Sequence, residues 1–111
     1  MDDNFLCLVE KFSLLIQGLV IGEGNSKVRL LENSFLLHTV FGLNFPDSLN
    51  DRKENIISQL TRFPALVEGD VIIWSSYDRT ITKIQKATAS RIILEIYALF
   101  VELDWYRNDA K

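Results

Sequence analysis

The sequence holds one cysteine and one histidine. One cysteine excludes an internal disulfide framework, and one of each excludes an ordinary closed zinc site. No metal or other cofactor is therefore expected. Only two prolines and five glycines occur in 111 residues, so collagen-like and low-complexity architectures are excluded. Excess basic charge is also lacking: 12 Lys and Arg stand against 15 Asp and Glu, a net charge of −3. A strongly basic nucleic-acid binder does not fit that balance. Long uninterrupted apolar runs are missing as well. Residues 5–21 are broken by Glu10, Lys11 and Gln17, and residues 92–103 carry Glu95 and Glu102, so no membrane span is expected. The start, Met1-Asp2-Asp3-Asn4, is acidic where a secretory signal needs basic residues. The expectation is a cytoplasmic protein with a reduced thiol.

What is present is apolar periodicity. Phe5, Leu8, Val9, Phe12, Leu15, Ile16, Leu19 and Val20 form a helical stripe over residues 4–21. Gly22-Glu23-Gly24 stops that helix. Its glycines and Ser26-Lys27 share residue types with a phosphate loop, but the order is wrong and a helix precedes them, so they read as a turn. Ser26 is the expected cap of a second helix, residues 27–41. There Val28, Leu31, Phe35 and His38 form one row and Leu30, Leu37 and Phe41 another. Apolar rows on two sides predict burial between neighbours.

Asn44, Pro46 and Asp47 mark a loop. Ser48 or Asn50 then caps a third helix over residues 51–62, which Pro64 ends. Residues 64–68 read as a short helical turn, with Asp70 capping the next helix. From Val71 to Tyr106 a three-four spacing runs without Gly or Pro. One straight helix of that span would be about 54 Å long. A compact domain of this size is about 35 Å across. The spacing therefore predicts a bend within Ala87-Thr88-Ala89-Ser90, with Ser90 as a cap, or else a dimer built on a long helix. The β-prone run Val71-Ile72-Ile73-Trp74 is the alternative, a strand lacking an evident partner. Trp74 and Tyr77 share a helical face with Ile81 and read as core. The fold class is all-α: one domain over residues 1–111, an irregular bundle of four to five helices.

Chemistry-bearing patterns are sparse. Cys7 and His38 are the one candidate nucleophile–base pair. Both lie on apolar helix faces and read as structural. No catalytic residues are assigned, and a non-enzymatic role is expected. Charge distribution carries more. Arg79, Lys83 and Lys86 stand at i, i+4, i+7, with Arg91 beyond and no acid between. These four are the candidate phosphate contacts of a weak nucleic-acid-binding regulator. Glu95, Glu102 and Asp109 repeat every seven residues, with Asp104, Trp105 and Tyr106 beside them. Trp105 and Tyr106 lie about 100° apart on a helix, so one of them must face outward. These six residues are the candidate partner-binding surface, since carboxylates steer basic partners and aromatics anchor them. The leading expectation is a small acidic inhibitor, of the immunity or antitoxin type, that neutralises a basic protein such as a nuclease toxin. The alternative is a helical adaptor or assembly subunit dimerising through residues 71–106.

Overall fold

The computed structural model describes residues 3–22 and 24–109. Met1, Asp2, Glu23, Ala110 and Lys111 lie outside the described residues, as do the side chains of Asp3, Asn108 and Asp109. Six α-helices and one two-stranded hairpin follow in the order α1 (Asp3–Ile21), α2 (Ser26–Glu32), α3 (Ser34–Phe41), α4 (Asn50–Leu60), β1 (Leu66–Glu68), β2 (Val71–Trp74), α5 (Ser76–Lys83) and α6 (Lys86–Asp109). A 3-10 turn, Asp47–Leu49, precedes α4. The molecule is an all-α bundle measuring 46 × 32 × 21 Å.

α1 and α6 form its centre. Leu8, Phe12, Leu15 and Leu19 of α1 are fully buried, and so are Ile96, Leu99 and Leu103 of α6. By length and composition, residues 4–21 of α1 are apolar enough to cross a membrane, yet their buried stripe supplies the bundle core. Phe12 sits between three rings, Phe100 at 5.2 Å and Phe41 and Phe45 at 6.0 Å. α1 ends where the glycines predict: Gly24 adopts φ +91°, and Arg29 donates from Nη1 to the Leu19 carbonyl at 3.0 Å.

The second helix is two helices. Asn33 separates α2 from α3 with φ −105° and ψ 16°. Its side-chain amide donates back to the Arg29 carbonyl at 2.8 Å, a local bond that competes with helical continuation. Asn25, not Ser26, caps α2, its Oδ1 accepting from the Val28 amide at 3.1 Å. Of the two apolar rows, only that of Leu30, Leu37 and Phe41 is buried; Phe35 in the other is 80% exposed.

The largest departures fall between residues 64 and 90. Residues 64–68 are not helical, and Val71–Trp74 is a strand with β1 as its antiparallel partner. A two-residue turn, Gly69-Asp70, joins them. Gly69 has φ +63° and Asp70 has no positive φ, the arrangement of a II′ hairpin turn with glycine first. Ser75, not Asp70, then starts α5, accepting at its Oγ from the Asp78 amide at 3.1 Å.

The chain bends at Ile84-Gln85, three residues before the expected site. Ile84 is extended (φ −78°, ψ 159°) and buried. α2 secures the corner: Lys27 Nζ donates to the Thr82 carbonyl at 2.8 Å, and Ser26 Oγ to the Lys86 carbonyl at 2.9 Å. Ser90 lies inside α6 and caps nothing. α6 alone is about 36 Å long, which fits the body without overshoot.

Candidate functional site

The hairpin is the most exposed apolar feature. All seven of its strand residues are exposed, and six of them are Leu66, Val67, Val71, Ile72, Ile73 and Trp74. It projects because the segment before it is fixed to α5. Arg79 Nη1 donates to the Pro64 carbonyl at 2.9 Å, and the Phe63 amide donates to Thr80 Oγ1 at 3.0 Å. Ser76 Oγ donates to the Phe63 carbonyl at 2.5 Å. At the tip, Glu68 and Asp70 are exposed, with no ion-pair partner among the described residues. Ile73 and Trp74 also line a shallow groove of about 410 Å³ with Leu31, Ser34, Asp78 and Thr82. Trp74 is thus a surface residue, whereas Tyr77 and Ile81 are core as expected. Sequence reasoning misses this surface. The signal is present: Gly-Asp between two β-prone runs is a two-residue hairpin pattern.

The candidate surface on α6 is divided by the structure. Trp105 is 69% exposed and Tyr106 44%, so both aromatics face solvent in part. With Val101, Glu102, Ser48 and Leu49 they line a groove of about 440 Å³. Tyr106 also meets the Phe5 ring at 5.6 Å. The described carboxylates are engaged within the chain. Glu102 pairs with Arg52 of α4. Asp104 accepts from Arg107 Nη2 at 2.6 Å. Glu95 accepts from Gln59 Nε2 at 2.7 Å. The Asp109 side chain lies outside the described residues. The acidic stripe therefore ties α6 partly to α4, and the outward side of α6 is apolar: Leu94, Tyr97, Val101 and Trp105 are all exposed.

The basic residues do not form one row. The bend at residues 84–85 leaves Arg79 and Lys83 on α5 and Lys86 and Arg91 on α6. Arg79 is bonded to Pro64, Lys83 stands over the Phe63 ring at 5.2 Å, and Arg91 Nη2 donates to Gln59 at 3.1 Å. The four cations are thus divided between two helices, and three of them have contacts within the chain.

Cys7 is half-buried, and no hydrogen bond joins it to His38 among the described residues. His38 is exposed, and its ring meets that of Tyr77 at 4.2 Å, edge to face. No group of three His, Cys, Asp or Glu side chains that could hold a metal ion occurs among the described residues. Burial pushes the Tyr77 phenol above 10.0, and the Glu54 carboxylate adds to that. The folded state thus holds its proton more tightly than the unfolded chain. Stability is fully present below the unfolded value near 10 and falls as pH rises through the folded one. Urea midpoints measured from about pH 9 to 11 should decline for the native chain, and Tyr77→Phe should flatten the part of that decline due to this residue.

Comparison with models of known protein families, with characterised proteins and with solved structures finds no match.

Proposed function

We propose that this chain is a small non-catalytic protein-binding module whose principal contact element is the β1–β2 hairpin. The carrying observation is that six large apolar side chains stand exposed on one two-stranded element. An isolated hairpin is marginally stable in water, and large apolar side chains exposed on both of its faces mark it as an interaction element. A free strand edge adds unpaired backbone groups that a partner strand can satisfy. Glu68 and Asp70 at the tip and the net charge of −3 favour a basic partner. The form that best suits these features is an inhibitor of the immunity or antitoxin type, in which an acidic rim steers association and the apolar strands anchor it.

The test is capture of proteins from the source cell with the native chain and with Ile72→Asp/Ile73→Asp as bait. Both positions are exposed, so far-ultraviolet circular dichroism should be unchanged. A basic protein should be enriched on the native bait, and the double variant should bind it at least about tenfold more weakly. Equal capture by both baits, or enrichment of acidic partners alone, would refute the reading.

A further inference from the structure

We propose that the outward face of α6 is a self-association surface, on which a second copy of this chain docks antiparallel about a two-fold axis. This surface shares no residue with the hairpin and does not rest on the reading given above.

α6 buries one side in the core through Ala89, Ile92, Ile96, Leu99 and Leu103. On the opposite side, Leu94, Tyr97, Val101 and Trp105 recur at spacings of three and four, with Ala87 and Ser90 preceding them. That side carries no charge from Ala87 to Trp105, a length of about 27 Å. Leu94 is 68% exposed and Trp105 69%. A solvated helix face is ordinarily polar, and one apolar on both sides is built to be covered.

The sequence of this face selects its occupant. Antiparallel pairing centred between Tyr97 and Ala98 sets Leu94 of one copy against Val101 of the other. It sets Ser90 against Trp105, so the largest side chain meets one of the smallest. The flanking charge changes sign along the helix: Arg91 lies towards its start and Glu102 towards its end. In the antiparallel pair these two come together on the same flank, once at each end of the interface. Glu102 contacts Arg52 of its own copy through Oε1, which leaves Oε2 for the second copy. Parallel pairing would instead place Arg91 of one copy and Glu102 of the other on opposite flanks, out of reach of each other, and it would align the two helix dipoles. An interface in which each contact occurs twice is the isologous type, and it closes at two copies.

One helix from each copy buries an area at the low end for specific pairs, about 1,200 Å² or less in total, so the dimer should dissociate on dilution. Sedimentation of the full chain over a concentration series should show a monomer–dimer equilibrium with dimer at high micromolar concentration. Leu94→Glu should weaken it at least about tenfold with an unchanged circular dichroism spectrum. Arg91→Glu and Glu102→Arg should each weaken it, and mixing these two variants should restore association. A native chain that stays monomeric at high micromolar concentration overturns the proposal. So does a Leu94→Glu variant that dimerises as well as the native chain, or a dimer abolished by Ile72→Asp/Ile73→Asp instead. Partner capture by the hairpin is read separately, so the two surfaces fail or succeed independently.

Discussion

Phe12→Ala is expected to destabilise the fold by about 3–5 kcal/mol, a large fraction of the whole stability of a domain this size. Phe12 is fully buried at the middle of α1 and touches rings from three other segments: Phe41 of α3, Phe45 of the following loop and Phe100 of α6. Truncation removes the transfer free energy of the ring and leaves a cavity. Three flanking phenyl groups, two of them held by helices, cannot collapse to fill it. Urea unfolding followed by circular dichroism should show a large fall in midpoint, with part of the population unfolded without denaturant. Trp105→Ala gives the contrast. Its ring is mostly exposed, so the same measurement should move by no more than about 0.5 kcal/mol. Equal effects at the two positions would mean that the core is not organised around Phe12.

The helical core is legible in the sequence because it rests on periodicity. Leu8, Phe12, Leu15 and Leu19 stand at spacings of four, three and four, as do Ile92, Ile96, Leu99 and Leu103, and burial follows those rows. The interruptions are less legible because tertiary bonds make them. Nothing in residues 80–90 alone announces a bend at Ile84. It is held from α2 by Ser26 and Lys27, some 60 and 55 positions away in the chain. The break at Asn33 is a local side-chain bond that a helical pattern also tolerates. The hairpin is different in kind. Val71, Trp74 and Tyr77 fit a helical spacing by coincidence, and the long run after them makes helix the simpler reading. Gly69-Asp70 is the local signal that outweighs it.

For the candidate surface, exposure of at least one of Trp105 and Tyr106 follows from their angular separation on a helix, and both are exposed. The carboxylates do not obey the same logic. A charge row on a helix reads as solvated or as partner-facing, yet Glu102 and Glu95 reach across to Arg52 and Gln59 of α4. A contact between two helices separated by more than thirty residues leaves no trace in either helix's own pattern. The apolar row beside them is hidden for a related reason. Leu94, Tyr97 and Val101 merge into a helix expected to be apolar on its buried side, and only their exposure separates the two sides.

Gly18→Ala is expected to destabilise by about 2 kcal/mol, against the usual sign for glycine in a helix interior. Alanine in place of glycine ordinarily stabilises a helix by up to about 1 kcal/mol. Here a Cβ would strike Asn33 Oδ1 and lie 2.7 Å from its Cγ, well inside van der Waals contact. Asn33 is not free to yield. Its amide nitrogen bonds the Arg29 carbonyl, and its backbone joins α2 to α3. Displacing it sacrifices that hydrogen bond, about 1 kcal/mol. The strain of pushing α1 away from the α2–α3 corner adds about 1–3 kcal/mol. These losses together exceed the propensity gain. The mechanism has its own check in a double-mutant cycle. Asn33→Ala removes every atom that the new Cβ would strike, so Gly18→Ala should be nearly neutral or stabilising in that background. A coupling of about 2 kcal/mol between the two sites is the expected result. If Gly18→Ala raises the urea midpoint of the otherwise native chain, α1 does not approach Asn33 as closely as this fold requires.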